Sequence, residues 1–129
     1  MPQLIMKKIR RISGLLGLTG VLLGAFGAHA LKATLIASGM SDAWEKAVLY
    51  HLVHAVAVFA IAVALPAPRP WLTRAAMSWT VGVLLFSGSL YTFALGGPHW
   101  LVFVTPFGGL AFLLGWSFVV IDGFCPEKS

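Results

Sequence analysis

Residues 47–65 read AVLYHLVHAVAVFAIAVAL, an uncharged and almost wholly apolar run that decides the fold. About 20 apolar residues are needed to cross the hydrocarbon core of a bilayer, so this run predicts a membrane-spanning helix. Only Tyr50, His51 and His54 interrupt its apolar character. Polar side chains inside a membrane normally face other protein or water, which makes these residues candidates for a functional site.

The composition extends this prediction to the whole chain of 129 residues. Hydrophobic residues make up 59% of it and charged residues 10%, and the mean hydropathy is +0.91. These values are typical of an integral membrane protein, and the length predicts a single domain over residues 1–129. Most bases lie before the first apolar run or between the second and third runs and form no patch, so we expect no nucleic-acid partner. The single cysteine, Cys125, lies beyond the last run and cannot form an internal disulfide.

Four apolar runs predict an all-α membrane bundle of four helices with short loops, surrounded by the lipid bilayer. The predicted spans are residues 12–30, 43–65, 74–95 and 100–121. Residues 31–41 are too polar to span and predict a short helix at the membrane surface. The basic tail and Ala28-His29-Ala30 also fit a cleavable signal, but the later spans make the protein polytopic in either case.

Local patterns suggest how the spans begin and bend. Asp42 and Glu45 have the spacing of a capping box, which predicts that they start the second span. Trp44 lies where an interfacial aromatic residue is expected. Pro106 lies within the fourth predicted span and predicts a kink there.

Small residues predict where helices approach each other closely. Gly20 and Gly24 have the small-x-x-x-small spacing in the first span, and Ser78 and Gly82 have it in the third. This spacing lets the backbone of a second helix come near.

The distribution of basic residues predicts that both termini are cytoplasmic. In that orientation the outside receives only Lys32 and Lys46, and the inside receives Lys7, Lys8, Arg10, Arg11, Arg69, Arg74 and Lys128. Asp122 then lies at the cytoplasmic end of the fourth span, where a carboxylate opposes the helix dipole. We therefore expect it to pair with a base such as Arg74 or Arg11.

The same orientation brings most polar residues of the spans into the outer half of the membrane. We call this set the polar layer, and it consists of His29, Tyr50, His51, His54, Ser87, Ser89, Tyr91 and Thr105. His51 and His54 are three residues apart and therefore share one face of their helix.

Several motifs occur together within and beside this layer: Gly24-Ala-Phe-Gly-Ala-His-Ala-Leu31, Tyr50-His51 with His54-Ala55, Phe86-Ser-Gly-Ser-Leu-Tyr91, Thr105-Pro-Phe-Gly-Gly109 and Gly115-Trp116. Over nearly its whole length the chain thus resembles the YgdD-like family of small membrane proteins, which includes the transmembrane-protein-256 relatives. The resemblance implies four spanning helices and residence in the inner membrane. The family is one of unknown function, and the resemblance implies no catalytic residue.

The polar layer supports three hypotheses. In the first, its side chains join helices, and the protein is a structural or accessory subunit of a larger membrane complex or of a homo-oligomer. In the second, His29, His51 and His54 bind a transition metal or a haem, since neutral imidazole suits both. In the third, the layer belongs to a pathway for protons or a small solute.

An enzymatic function has the weakest support in the sequence. No Ser-His-Asp set, no pair of carboxylates and no phosphate loop can be assembled, so no catalytic residue is assigned. Ser87 and Ser89 lie near the histidines in the predicted layer, but serines in spanning helices usually serve packing. No cofactor is identified.

Overall fold

The computed structural model describes residues 1–126, which form helices and no β-strand. Four helices are long and apolar enough to cross a membrane: α1 (Pro2–Ala28), α3 (Ser41–Ala64), α4 (Pro70–Ala94) and α5 (His99–Phe124). The short helix α2 (Lys32–Ser38) connects α1 to α3. The predicted all-α membrane bundle of four helices, with a short helix between the first two spans, is confirmed. Lys128, which contributed to the predicted orientation, lies outside the described residues.

The bundle has two central helices and two outer ones. Helix α1 packs along α3, α5 packs along α4, and α3 and α4 pack against each other. In the most apolar part of each helix, 39% of the residues of α3 and α4 are buried, against 17% in α1 and α5. The outer helices turn apolar side chains such as Leu18 and Leu110 outward, as contact with lipid requires.

The antiparallel order of the long helices gives the bundle two different ends. At one end α1 finishes, α2 crosses and α3 begins, and the connection between α4 and α5 lies at the same level. We call this the α2 end. The opposite end, which we call the terminal end, holds the start of α1, the proline-rich turn of residues 65–69 and the end of α5.

Glycines hold α1 close to α3. A methyl group at Gly20 would lie 2.7 Å from Leu52 Cδ2, and Gly27 packs directly against the indole ring of Trp44. A methyl group at Gly24 would lie 3.3 Å from Val48 Cγ1. The predicted Gly20 and Gly24 pair therefore does face a neighbouring helix.

Helices α4 and α5 approach each other in the same way. Gly82 and Gly115 lie against the aromatic rings of Phe112 and Trp79, and Gly108 packs on the backbone of Phe86. The Ser78 hydroxyl donates a hydrogen bond of 2.7 Å to the carbonyl oxygen of Ala111 on α5. The predicted spacing of Ser78 and Gly82 thus also marks a close helix contact.

The predicted capping box at the start of α3 is wrong. The helix begins at Ser41 with Met40 at the cap, and no side chain caps it. Asp42 consequently lies inside the first turn, where its carboxylate pairs with Lys46 Nζ at 2.8 Å. Asp42 thus forms an ion pair with a residue one helical turn later instead of capping the helix.

The ring of Trp44, expected in an interfacial belt, faces the interior of the bundle. Its side chain is only 2% exposed, because Gly27 leaves room for the indole ring between α1 and α3. The indole N–H donates a 2.9 Å hydrogen bond to the carbonyl oxygen of Leu23, and the ring lies 4.8 Å from that of Tyr91. Trp44 is therefore a core residue at the α2 end.

Two helices change their winding near the polar layer. In α4, residues Val83–Ser87 form a π-helical turn, which the sequence did not predict. Helix α5 begins as a 3₁₀-helix at His99–Phe103 and becomes α-helical at Thr105. Pro106 thus stands in the first α-helical turn, where its missing N–H costs nothing, and the predicted kink inside one α-helix is replaced by this change of helix type.

Asp122 does pair with a base, but the partner differs from the two residues proposed. Its carboxylate lies 3.1 Å from the guanidinium of Arg69, which belongs to the proline-rich turn before α4. Arg74 stacks instead over the ring of Trp71, at 4.6 Å from its centroid. The turn brings Arg69, and not a helical base, next to the end of α5.

Two adjacent glycines test the close contact between α4 and α5. A methyl group at Gly108 would overlap the backbone of Phe86, whereas one at Gly109 would meet no atom within 4 Å. We expect Gly108→Ala to lower the free energy of unfolding by about 1–3 kcal/mol, the usual cost of overpacking. Gly109→Ala should change it by less than about 1 kcal/mol, the scale of helix propensity. Thermal unfolding in detergent, followed by circular dichroism, measures both variants, and equal losses would contradict the described contact.

Candidate functional site

His51 lies at the centre of the polar layer and joins three helices. It extends from α3, is 4% exposed, and has a partner on each ring nitrogen. Nδ1 lies 3.0 Å from the hydroxyl of Tyr91 on α4, and Nε2 lies 3.3 Å from the hydroxyl of Thr19 on α1. The imidazole therefore connects α3 to both α1 and α4.

The partners of His51 determine where its proton is. The Thr19 hydroxyl has one hydrogen, which it donates to the carbonyl oxygen of Leu15 at 2.8 Å. Its oxygen is therefore the acceptor for His51, so the ring carries its proton on Nε2. Nδ1 then accepts a hydrogen bond from the Tyr91 hydroxyl. Both ring nitrogens of a neutral imidazole with its proton on Nε2 are therefore hydrogen-bonded.

His54 has the opposite tautomer. Its Nδ1 lies 2.7 Å from the carbonyl oxygen of Tyr50, which can only accept, so Nδ1 carries the proton. Its Nε2 lies 3.1 Å from the indole N–H of Trp116 on α5, which can only donate. The ring also stacks on Phe112 at 3.8 Å between centroids. His54 is thus neutral, fully bonded and held between α3 and α5.

The predicted serines also join helices. Ser87, which is fully buried in the π-helical turn of α4, donates a 2.7 Å hydrogen bond to the carbonyl oxygen of Ala47 on α3. The hydroxyls of Ser89 on α4 and Thr105 on α5 lie 2.7 Å apart. Among residues 1–126, no serine hydroxyl bonds to a histidine ring. The arrangement therefore contains no serine activated by a histidine.

The side chains of two residues of the predicted polar layer form none of these hydrogen bonds. Tyr50 is 42% exposed, and its ring packs beside Phe86 and Phe112. His29 is exposed at the end of α1. In the part of the chain that the structure describes, no three His, Cys, Asp or Glu side chains are close enough to hold one metal ion. His29, His51 and His54 are thus not brought together.

Thr19 and Trp116 were not predicted as members of the layer, although each completes the bonding of a histidine. A threonine is common in a spanning helix, and Trp116 belongs to the Gly115-Trp116 motif without marking a polar site. The distance of each residue from the end of its helix would have predicted that it lies level with a histidine. Thr19 and His51 lie at similar distances from the α2 end, so antiparallel α1 and α3 must bring them to one level.

The chain matches a known protein family over most of its length. A family model described as a protein of unknown function, DUF423, matches residues 23–109. The chain therefore belongs to this family. The match includes every predicted residue of the polar layer, whereas Thr19 and Trp116 lie beyond its ends.

Curated membrane proteins are similar to the chain over most of its length. A UPF0382 membrane protein of Haemophilus influenzae is 36% identical over 91% of this chain and 94% of the relative. One of Staphylococcus haemolyticus is 41% identical over 78% of this chain and 82% of the relative. The inner membrane protein YgdD of Escherichia coli is 39% identical over 81% and 80%. No solved structure matches. The resemblance to the YgdD-like family is confirmed.

The two tyrosines of the chain provide a matched test of the His51 network. Tyr91→Phe removes the donor to His51 Nδ1 but keeps the ring, whereas the Tyr50 hydroxyl forms no hydrogen bond with residues 1–126. We expect Tyr91→Phe to lower the free energy of unfolding by about 0.6–1.7 kcal/mol, the range for hydrogen bonds between membrane helices. Tyr50→Phe should leave it unchanged. Unfolding by SDS titration from mixed micelles measures both, and a Tyr50→Phe loss as large as that of Tyr91→Phe would contradict the network.

Proposed function

We propose that this membrane protein is a structural or accessory subunit, and that its polar layer serves to hold the four long helices in one register. One observation carries the proposal. All four ring nitrogens of the buried histidines already have partners within the protein, in two complementary neutral tautomers. Neither ring has a free lone pair for a ligand, and each ring joins α3 to another helix.

The energetics agree with a role in specifying structure. A hydrogen bond between membrane helices contributes only about 0.6 kcal/mol on average, so the bonds of the layer add little stability. Each one nevertheless requires a particular rotation and depth of its two helices. Thr19, Tyr91 and Trp116 therefore set α1, α4 and α5 around α3, while small residues and apolar contacts supply the close packing.

The outer surfaces suggest how a subunit of this kind meets other proteins. The sides of α1 and α5 that face away from the bundle are apolar, for example at Leu22 and Leu113. Such sides can contact lipid, a larger membrane complex or a second copy of the chain. Helices α3 and α4 also expose apolar side chains, for example Val56 and Leu84.

We further propose residence in the inner membrane with both termini in the cytoplasm. The name of the relative YgdD, an inner membrane protein, supports the proposed location. The distribution of basic residues supports the proposed orientation. Lys7, Lys8, Arg10 and Arg11 lie in the first turns of α1 at the terminal end. At the α2 end Lys46 is neutralised by Asp42. An excess of positive charge marks the cytoplasmic side of a membrane protein.

The tautomers of the two buried histidines test the structural role directly. Nitrogen-15 NMR of histidine-labelled protein should show one imidazole protonated on Nε2 and one on Nδ1, assigned by loss of the first in His51→Gln and of the second in His54→Gln. Zinc chloride or haemin added to the protein should leave both sets of signals unchanged. The exposed rings of His29 and His99 provide the internal comparison, since zinc reaches both.

The metal and haem hypothesis gives a different result in the same sample. A metal found at one equivalent by elemental analysis, or a Soret absorption band, that disappears in both His51→Gln and His54→Gln would overturn the structural role. A zinc-induced shift of the buried signals would do the same.

The single cysteine tests the orientation. Cys125 follows α5 at the terminal end and is partly exposed, so a membrane-impermeant maleimide can report its side of the membrane. We expect labelling in inverted vesicles and none in intact spheroplasts. The control is Ser38→Cys in a Cys125→Ser background, which moves the thiol to the exposed end of α2 and should reverse the pattern. Labelling of Cys125 in spheroplasts would show that the termini are outside.

A further inference from the structure

A groove at the α2 end is a candidate ligand site separate from the polar layer. It has a volume of about 670 Å³ and lies between the end of α1, helix α2 and the first half of α3. Its size is within the range of small-molecule sites. We call it the α2 groove, and the residues that line it include Ala28, Lys32, Ile36, Trp44, Glu45 and Leu49.

Most residues that line the α2 groove are apolar, which suits an apolar chain. Trp44 and Val48 line it from α3, and Gly24 and Gly27 line it from α1 without adding side chains. Ile36 and Leu49 also line the groove and are 62% and 59% exposed. Apolar surface of this kind on a membrane protein is in contact with lipid acyl chains.

The rim of the groove carries charge of both signs. Lys32 begins α2 and Glu45 lies in the second turn of α3, and both side chains line the groove and are exposed. Lys46 is paired with Asp42, which leaves Glu45 without that neighbouring cation. Within residues 1–126 neither Lys32 nor Glu45 forms an ion pair. A ligand that matches this rim has one anionic and one cationic group beside its apolar part.

The walls of the groove are held in place before any ligand binds. The Trp44 indole is anchored to the carbonyl oxygen of Leu23, and Leu35 fixes α2 to the core with only 2% of its surface exposed. Gly39, with a φ of 70°, ends α2 in the left-handed conformation that glycine adopts without strain. A site with fixed walls loses little entropy on binding.

We propose that the α2 groove binds one phosphatidylethanolamine molecule of the bilayer. One acyl chain lies along Val48 and Leu49, the phosphate meets Lys32, and the ammonium group donates hydrogen bonds to the Glu45 carboxylate. Phosphatidylcholine shares the phosphate but its quaternary amine has no N–H to donate. Phosphatidylglycerol lacks the cationic group altogether. This site goes beyond the proposed structural role and does not depend on it.

Native mass spectrometry of the detergent-solubilised full chain tests the site, with phosphatidylethanolamine, phosphatidylcholine and phosphatidylglycerol of identical acyl chains added in turn. We expect the wild type to retain one phosphatidylethanolamine about tenfold more tightly than either other lipid, as a charge-assisted hydrogen bond implies. Glu45→Gln should abolish this preference, and Lys32→Gln should weaken binding of all three lipids. Lys46→Gln is the matched control outside the groove and should behave as the wild type.

A second pair of variants tests the apolar part. Ala28→Leu places a larger side chain in the groove and should reduce retention of phosphatidylethanolamine about tenfold. Ala37→Leu makes the same change at an exposed position of α2 that does not line the groove, and should have no effect. Equal retention of the three lipids by the wild type, or an unchanged preference in Glu45→Gln, would overturn the proposal. The histidine signals described above stay the same in either outcome, so this failure is distinguishable from failure of the structural role.

Discussion

The bilayer offers no hydrogen bonds, and this constraint governs every polar group inside the protein. His51 and His54 meet it with hydroxyl, carbonyl and indole partners, and Ser87 meets it with the carbonyl oxygen of Ala47. Because most of these partners belong to other helices, satisfying each group also fixes a pair of helices. In the described part of the chain, the Trp79 indole N–H is the one buried side-chain group without a partner.

Small residues make the polar contacts geometrically possible. Gly20 brings α1 near enough to α3 for Thr19 to reach His51, and Gly115 makes room for Trp79 beside Trp116. The glycines and the polar residues are therefore neighbours in sequence as well as in space. Close backbone approach and interhelical hydrogen bonding here are two parts of one packing arrangement.

The fold could be predicted from the sequence, since length and hydropathy determine how many helices are available to cross a bilayer. Parts of the site could also be predicted, because His51, His54, Ser87, Ser89, Tyr91 and Thr105 are polar residues at similar depth. The partners could not be predicted: Arg69 pairs with Asp122 because of the path of the proline-rich turn. Trp44 is buried because Gly27 faces it. Which residues of two helices face each other depends on the rotation of each helix about its axis, and hydropathy does not define that rotation.

The π-helical turn in α4 has a consequence for the length of this segment. A π-helical turn contains one residue more than an α-helical turn, so it behaves as a single-residue insertion within an otherwise regular helix. Removing that residue would rotate everything after it by about 100°, the angle between successive residues of an α-helix. Ser89 and Tyr91 would then point away from Thr105 and His51. The contacts of Ser89 and Tyr91 thus constrain the number of residues that separate them from Gly82.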